Sequence, residues 1–285
     1  MDGLLNPRGP IGIFDSGVGG LSVFNAVRQL LPNEHLIYLA DQAHVPYGLR
    51  SLGQVRGFSE SITRYLLAGG AKLIVVACNT ASAAALRHLR NVFPQISFVG
   101  MEPAVKPAAE HTQSGVVGVL ATPATFQGEL YASVVERFAN EVSVLQDTCP
   151  GLVMEIDNGN LDTRAVQDIL ARALLPMLAQ GIDTVVLGCT HFPFVIPTIE
   201  RIVGPRVRVI DPSPAIARQV ERLLKSQGML NINEASGYAR ILTTGEPEKM
   251  AGVLPRLIGE SIKVHHLYWD GGGLWDEERL PPIGD

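Results

Sequence analysis

Short aliphatic runs alternate along the chain with longer stretches in which apolar residues recur every three or four positions. "IGIFD" precedes "LSVFNAVRQLL", "KLIVVAC" precedes "ASAAALRHLRNVF", "GVVGVLAT" precedes "FQGELYASVVERFA", and "RVRVIDP" precedes "AIARQVERLLKSQG". "HLIYLAD", "SFVGME", "EVSVLQDTC" and "DTVVLGC" add further strand-like runs, and "RAVQDILARALLPMLAQG" a further helical one. Runs of four to six apolar residues separated by helical periodicity predict buried parallel strands with helices on both faces. The class is α/β with doubly wound, mostly parallel sheets.

Two segments look like copies. "GGAKLIVVAC" and "QGIDTVVLGC" each set a glycine eight residues ahead of a cysteine, and "IGIFDSGVGG" parallels "VGVLATPATF" upstream of them. The repetition predicts two similar domains, related by pseudo-symmetry and facing each other. "GMEPAVKPAAEHTQSG" reads as the linker, and "DPSPAIA" as a second crossing after which the last helix returns. The expected division is residues 1–102 with 211–285, carrying the C-terminal tail, against residues 103–210.

Composition narrows the ligand. A formal charge of −5 and the lack of any Lys/Arg cluster argue against nucleic acid and favour a small molecule. "MDGLLNPRGP" has no signal-peptide pattern and no apolar run reaches membrane-spanning length, so the expected location is the cytoplasm. The chain has 3 widely spaced cysteines, which make no disulfide framework in a reducing compartment.

Chemistry is expected at the carboxyl ends of the strands, where ligands bind in such sheets. Asp15, Ser16, Asp41, Cys78, Thr122 and Cys189 fall there. A strand-end cysteine is by itself a small buried hydrophobe. Two at matching points of a repeat, each beside hydroxyl or amide groups, point to reactive thiols, and a helix N-terminus after each would lower its pKa. Cys149 lacks that setting and is expected to be structural. In "DSGVGG" Gly17, Gly19 and Gly20 suggest a phosphate turn, but Ser22 breaks the G-x-G-x-x-G spacing and Asp15 suits an ammonium better. His191 with Cys189 supplies too few ligands for zinc; an acid/base histidine beside a thiol is the better reading, and no metal is expected. His35, His44, His88, His111, His265 and His266 read as surface or packing residues. The loop "HVPYG" offers backbone N–H groups and the Tyr47 hydroxyl to a carboxylate, or is simply a turn.

Taken together, "GIFDSGVGGLSV", "LADQAHVPYG", "VVACNTAS", "GVLATPAT" and "LGCTHFP" resemble the glutamate racemases of the cofactor-independent aspartate/glutamate racemase family, from about residue 11 to about residue 217. The resemblance implies two α/β domains with the active site in the cleft between them, no pyridoxal phosphate or other cofactor, and interconversion of L- and D-glutamate to supply D-glutamate for peptidoglycan and so for cell shape. It also implies roles. Cys78 and Cys189 match the two acid/base thiols, and Asp15 and His191 their assisting groups. Ser16, Pro46, Tyr47, Gly48, Asn79, Thr80, Thr122, Thr125 and Thr190, with Asp15, match positions that bind the substrate's ammonium and carboxylates. One position departs from the pattern. Eight residues after Cys149, where the family usually has glutamate, stands Asp157, with Glu155 nearby but off register; its auxiliary role is therefore open. The tail "HHLYWDGGGLWDEERLPPIGD" matches nothing in the family pattern.

The chemistry agrees with the resemblance. Inverting a stereocentre by deprotonation and reprotonation needs one group on each face of the carbanion, and a thiolate–thiol pair supplies them. Alternatives are a racemase for aspartate or another amino acid, or a two-lobed amino-acid-binding protein without turnover. A thiol–disulfide or cysteine-hydrolase enzyme would need a C-x-x-C or a triad, and neither motif is visible in the sequence. The reading leaves room for a homodimer.

Overall fold

The computed structural model describes residues 6–102, 104–138, 142–233 and 235–276. The chain divides into two compact units, Met1–Met101 with Ser213–Asp285, and Glu102–Pro212. The first unit begins with β1 (Ile11–Asp15), α1 (Leu21–Leu30), β2 (Leu36–Ala40), α2 (Leu52–Ala68), β3 (Leu73–Val76), α3 (Asn79–Val92) and β4 (Ser97–Gly100). The second comprises α4 (Val105–His111), β5 (Val116–Ala121), α5 (Pro123–Phe126), α6 (Glu129–Phe138) and β6 (Ser143–Asp147), then α7 (Leu152–Asp157), α8 (Arg164–Ala179), β7 (Thr184–Gly188), α9 (Ile196–Val203) and β8 (Arg208–Ile210). The chain returns to the first unit as α10 (Ser213–Ser226), β9 (Ala239–Thr243), α11 (Pro247–Ile258), β10 (Val264–His266), β11 (Tyr268–Asp270) and β12 (Gly273–Trp275).

The sheet of the first unit runs β10-β9-β2-β1-β3-β4 and that of the second β6-β5-β7-β8, every pairing parallel. The stretch β2-β1-β3-β4 therefore repeats as β6-β5-β7-β8, which makes β1 the counterpart of β5 and β3 of β7. In each copy the order reverses between the first and third strands, the point at which doubly wound sheets open a crevice beyond the strand ends. β1, β2, β3 and β7 are buried along their whole length, so they read as unbroken apolar runs. Each fully buried Val, Leu, Ile or Phe in them contributes roughly 1.5–3 kcal/mol of hydrophobic free energy. β6, an edge strand, is partly exposed and reads less clearly.

Several elements differ from the sequence expectation. The segment read as a linker, residues 100–115, contains the helix α4, whose Val105 and Ala108, three apart on one face, pack into the apolar cluster of the second unit. "FQGELYASVVERFA" is not one helix: Thr122 caps α5, which begins at Pro123 and ends at Phe126, and α6 begins at Glu129. The helix that returns to the first unit is not the last, because β9, α11, β10 and a hairpin follow it. α2 was not anticipated at all. It has a capping box, Ser51 with Gln54, but its buried stripe is Val55, Ser59, Ile62, Thr63 and Leu66. Two hydroxyl residues in that stripe hide its apolar periodicity. The tail expectation falls partly outside the described residues: 265–276 are described and 277–285 are not.

Candidate active site

The first half-site forms where β1 and β3 end. Asp15 is the last residue of β1, with no exposed surface. Its Oδ1 accepts from the Gly17 N–H at 2.9 Å and from Ser16 Oγ at 3.1 Å. The chain then turns so tightly that a Cβ on Gly20 would lie 2.7 Å from the Asp15 Cβ, 3.0 Å from Tyr38 Oη and 3.1 Å from the Ala77 Cβ. The glycine thus lets α1 begin against the strand ends, and the Tyr38 hydroxyl donates to the Gly17 carbonyl at 2.6 Å. Two residues beyond β3, Cys78 caps α3, its Sγ accepting from the Ala81 N–H at 3.4 Å and lying 3.8 Å from Ser16 Oγ. The buried Asn79 opens α3, and its Nδ2 has no hydrogen-bond partner among the described residues, which leaves a donor for a ligand oxygen. Thr80 beside it is half-buried.

The Cys78 thiol overturns one expectation. Burial, and then the Asp15 carboxylate, push its pKa up to about 12 in spite of the helix start and its hydrogen bonds. Cys78 is therefore a protonated thiol in the ligand-free protein. The dipole at a helix N-terminus does not outweigh desolvation together with a neighbouring carboxylate.

β2 leads to the loop that carries Pro46, Tyr47 and Gly48. Pro46 and Gly48 are exposed, whereas Tyr47 is buried, and its hydroxyl donates to Asp41 Oδ2 at 2.7 Å. That hydrogen is not available to a carboxylate, which corrects the sequence reading of Tyr47. Burial and then the Asp41 charge hold its pKa well above 10, and the Asp15 carboxylate acts in the same direction. Asp41 itself, which reads in sequence only as a polar strand end, has no exposed surface. It accepts from four side chains: Tyr47, His44 at 2.9 Å, Thr244 at 2.8 Å and the Trp269 indole at 2.8 Å. Thr244 and Trp269 were missed as neighbours of the site, and the only signal was the unmatched "YWDGGG" of the tail.

The second half-site forms where β5 and β7 end. Thr122 caps α5, accepting from the Thr125 N–H at 3.4 Å, and the two hydroxyls lie 3.1 Å apart. Cys189 follows β7 and is buried with Thr190 and His191. Here no α-helix starts directly at the cysteine. A short 3₁₀ turn, Phe192–Val195, stands between it and α9, which corrects the expectation of equivalent helix starts.

An imidazole stands in the position of influence instead. His191 Nδ1 lies 3.7 Å from Cys189 Sγ, and its Nε2 lies 3.0 Å from Asp157 Oδ1. Burial alone would lower the histidine's pKa, but the hydrogen bonds and charges of Asp157 and Cys189 hold it well above 6.5. His191 is thus a cation at neutral pH, able to pair with negative charge on the Cys189 sulfur.

Glu155 points elsewhere, its Oε2 accepting from Asn160 at 2.8 Å. On α7 the two carboxylates are two positions apart, so about 200° of helical rotation separates them and only one can reach His191. Cys149 is buried, and burial followed by Asp147 raises its pKa. Among the described residues no group of His, Cys, Asp or Glu is arranged to hold a metal ion, and no helix is long and apolar enough to cross a membrane.

Residues 11–220 match the family described as Asp/Glu/Hydantoin racemase. The chain belongs to that family. It is 50% identical over 249 residues to the glutamate racemase of Roseiflexus sp. (strain RS-1), covering 87% of this chain and 92% of the relative. Among solved structures, glutamate racemase RacE1 of Bacillus anthracis superposes with TM-score 0.82 at 32% identity, over 94% of this chain and 100% of that one. Glutamate racemase of Francisella tularensis, solved with D-glutamate, gives TM-score 0.78 at 29% identity, over 93% and 98% respectively. A racemase must remove a proton from one face of a stereocentre and return one to the other. A thiol stands at the corresponding strand end in each copy of this fold, after β3 and after β7.

Proposed function

We propose that this racemase interconverts L- and D-glutamate by two-base chemistry, with Cys78 and Cys189 serving opposite faces of the substrate's Cα. The observation that carries the reading is that thiols end equivalent strands, each beside an ionisable group of opposite sign, Asp15 for Cys78 and His191 for Cys189. In the L-to-D direction the Cys189 thiolate takes the α-proton. The electron pair left on Cα delocalises into the carboxylate, and the protonated Cys78 delivers its proton to the other face. The reverse reaction exchanges the two roles.

The remaining residues bind and orient. Asp15 receives the ammonium; the free Asn79 Nδ2, with Thr80 and Thr190, stabilises charge developing on the α-carboxylate. Ser16, Thr122, Thr125 and the backbone of Pro46, Tyr47 and Gly48 read the rest of the substrate, including the side-chain carboxylate. Asp157 acts through His191, keeping it charged. No organic cofactor enters, because the thiols supply both proton transfers. The product's use is D-glutamate for peptidoglycan, made in the cytoplasm.

The test is circular dichroism of each enantiomer of glutamate and of aspartate with dialysed protein. Interconversion of glutamate without added cofactor is expected, with kcat/KM exceeding that for aspartate by roughly tenfold or more for one misplaced methylene. Equal values for the two amino acids would replace the glutamate reading with a broader racemase. Binding without loss of optical activity would replace it with a binding protein.

A further inference from the structure

The last described segment of the chain, β11 and β12, is an antiparallel hairpin closed by Gly271 and Gly272, both at positive φ, at 57° and 86°. It is tied to α2 at two points: the Ser61 hydroxyl donates to the Gly272 carbonyl at 2.6 Å, and the Tyr65 hydroxyl donates to Asp276 at 2.8 Å. Leu274 and Trp269 pack against the apolar core of the first unit. A brace on a surface helix would need no more than this. Yet the Trp269 indole N–H reaches past the helix to Asp41 Oδ1.

Asp41 is where the brace meets the substrate loop. Its two oxygens offer about four acceptor sites, and four side-chain donors fill them. Two of the donors, His44 and Tyr47, belong to the loop, and two, Thr244 and Trp269, come from the returning chain. The contact is reinforced by rings: His44 stacks on Phe58 at 3.8 Å between centroids, and Trp269 meets both edge-on, at 4.9 and 5.7 Å. The Thr244 hydroxyl also accepts from the Ala43 N–H at 3.0 Å. A buried carboxylate tolerates loss of a donor poorly, so removing one should shift the others. Among those others is the Tyr47 hydroxyl, which sets where the backbone of Tyr47 and Gly48 lies.

We propose that Trp269 is a positioning residue: through Asp41, the C-terminal hairpin holds the Pro46–Gly48 loop in the conformation that receives the substrate's carboxylate. This inference rests on the glutamate reading of the site. It gives a role to the part of the tail that resembles nothing in the family pattern.

Trp269→Phe keeps the ring against His44 and Phe58 and removes only the N–H. The expected result is KM for L-glutamate raised about tenfold, with kcat changed far less and Tm nearly kept. An indole that served stability alone would lower Tm and the active fraction while leaving KM in place, and that outcome would overturn the proposal. A second measurement does not depend on that variant folding. The chain has 2 tryptophans, Trp269 and Trp275, both in the hairpin, so in Trp275→Phe the indole emission comes from Trp269 alone. Titration with D-glutamate should change that emission saturably, with a midpoint near KM, and a flat titration of an active Trp275→Phe protein would reject the coupling. A wild-type protein that fails to racemise glutamate would overturn the functional reading itself, and this inference with it.

Discussion

The two half-sites are built on the same four-strand order and end in the same side chain, yet their electrostatics are opposite. Cys78 caps a long helix and faces Asp15, whose carboxylate and the surrounding burial keep the sulfur protonated. Cys189 has no α-helix at its heels and faces His191, held as a cation by Asp157. A repeated fold supplies equivalent positions for two thiols; the residues around them decide that one rests as an acid and the other beside a positive charge. This asymmetry suits the proposed two-base chemistry, in which one thiol gives a proton while the other takes one.

The comparison can be broken most directly by deleting either thiol. Cys78→Ala and Cys189→Ala should each lower racemisation by roughly a thousandfold or more, since the carbanion could not be protonated from the face that lost its acid. In D₂O, proton NMR should show Cys189→Ala exchanging the α-hydrogen of D-glutamate with retention while L-glutamate stays unlabelled. Cys78→Ala should do the reverse. Full racemisation by either variant would mean that one base suffices and that the second cysteine is only part of the repeat.

A smaller effect separates the two sulfurs in the ligand-free protein. With its pKa near 12, Cys78 carries on the order of one thiolate in ten thousand at pH 8, whereas Cys189 has a cation 3.7 Å from its sulfur. Iodoacetamide at pH 8, read by mass spectrometry of digests, should label Cys189 at least about tenfold faster than Cys78. Preferential labelling of Cys78 would reject its assignment as the resting acid.

The subtlest test concerns Asp157. Its hydrogen bond to Nε2 is the largest of the influences that raise the His191 pKa against burial, so Asp157→Asn should lower that pKa. The histidine would then lose its proton at lower pH as pH rises. The alkaline limb of kcat should move down by about one pH unit, with KM nearly unchanged. An unmoved limb would mean that His191 is not the group that titrates there.

Much of the fold was legible because its central strands are buried on both faces. "IGIFD", "LIVV" and "TVVLG" can be little else, and the glycine-to-cysteine spacing exposes the repeat in the sequence itself. α2 was not legible, because Ser59 and Thr63 occupy its buried stripe, and α4 was not, because seven residues with a proline resemble a linker until Val105 and Ala108 find a core.

At the site, the sequence was enough to single out candidates for chemistry: the two cysteines, Asp15 and His191 stand out by residue type and by position at or just after strand ends. It could not determine their charge states. Those depend on desolvation and on neighbours distant in the chain, and here they reversed the expected lowering at Cys78. Nor could it tell that Asp157 rather than Glu155 meets His191, which the phase of α7 decides, or that Tyr47 gives its hydrogen to Asp41. The link from Asp41 to Trp269 spans 228 positions of sequence and leaves no local pattern. Short-range periodicity reports burial, whereas the hydrogen bonds that tune a site form between segments that only folding brings together.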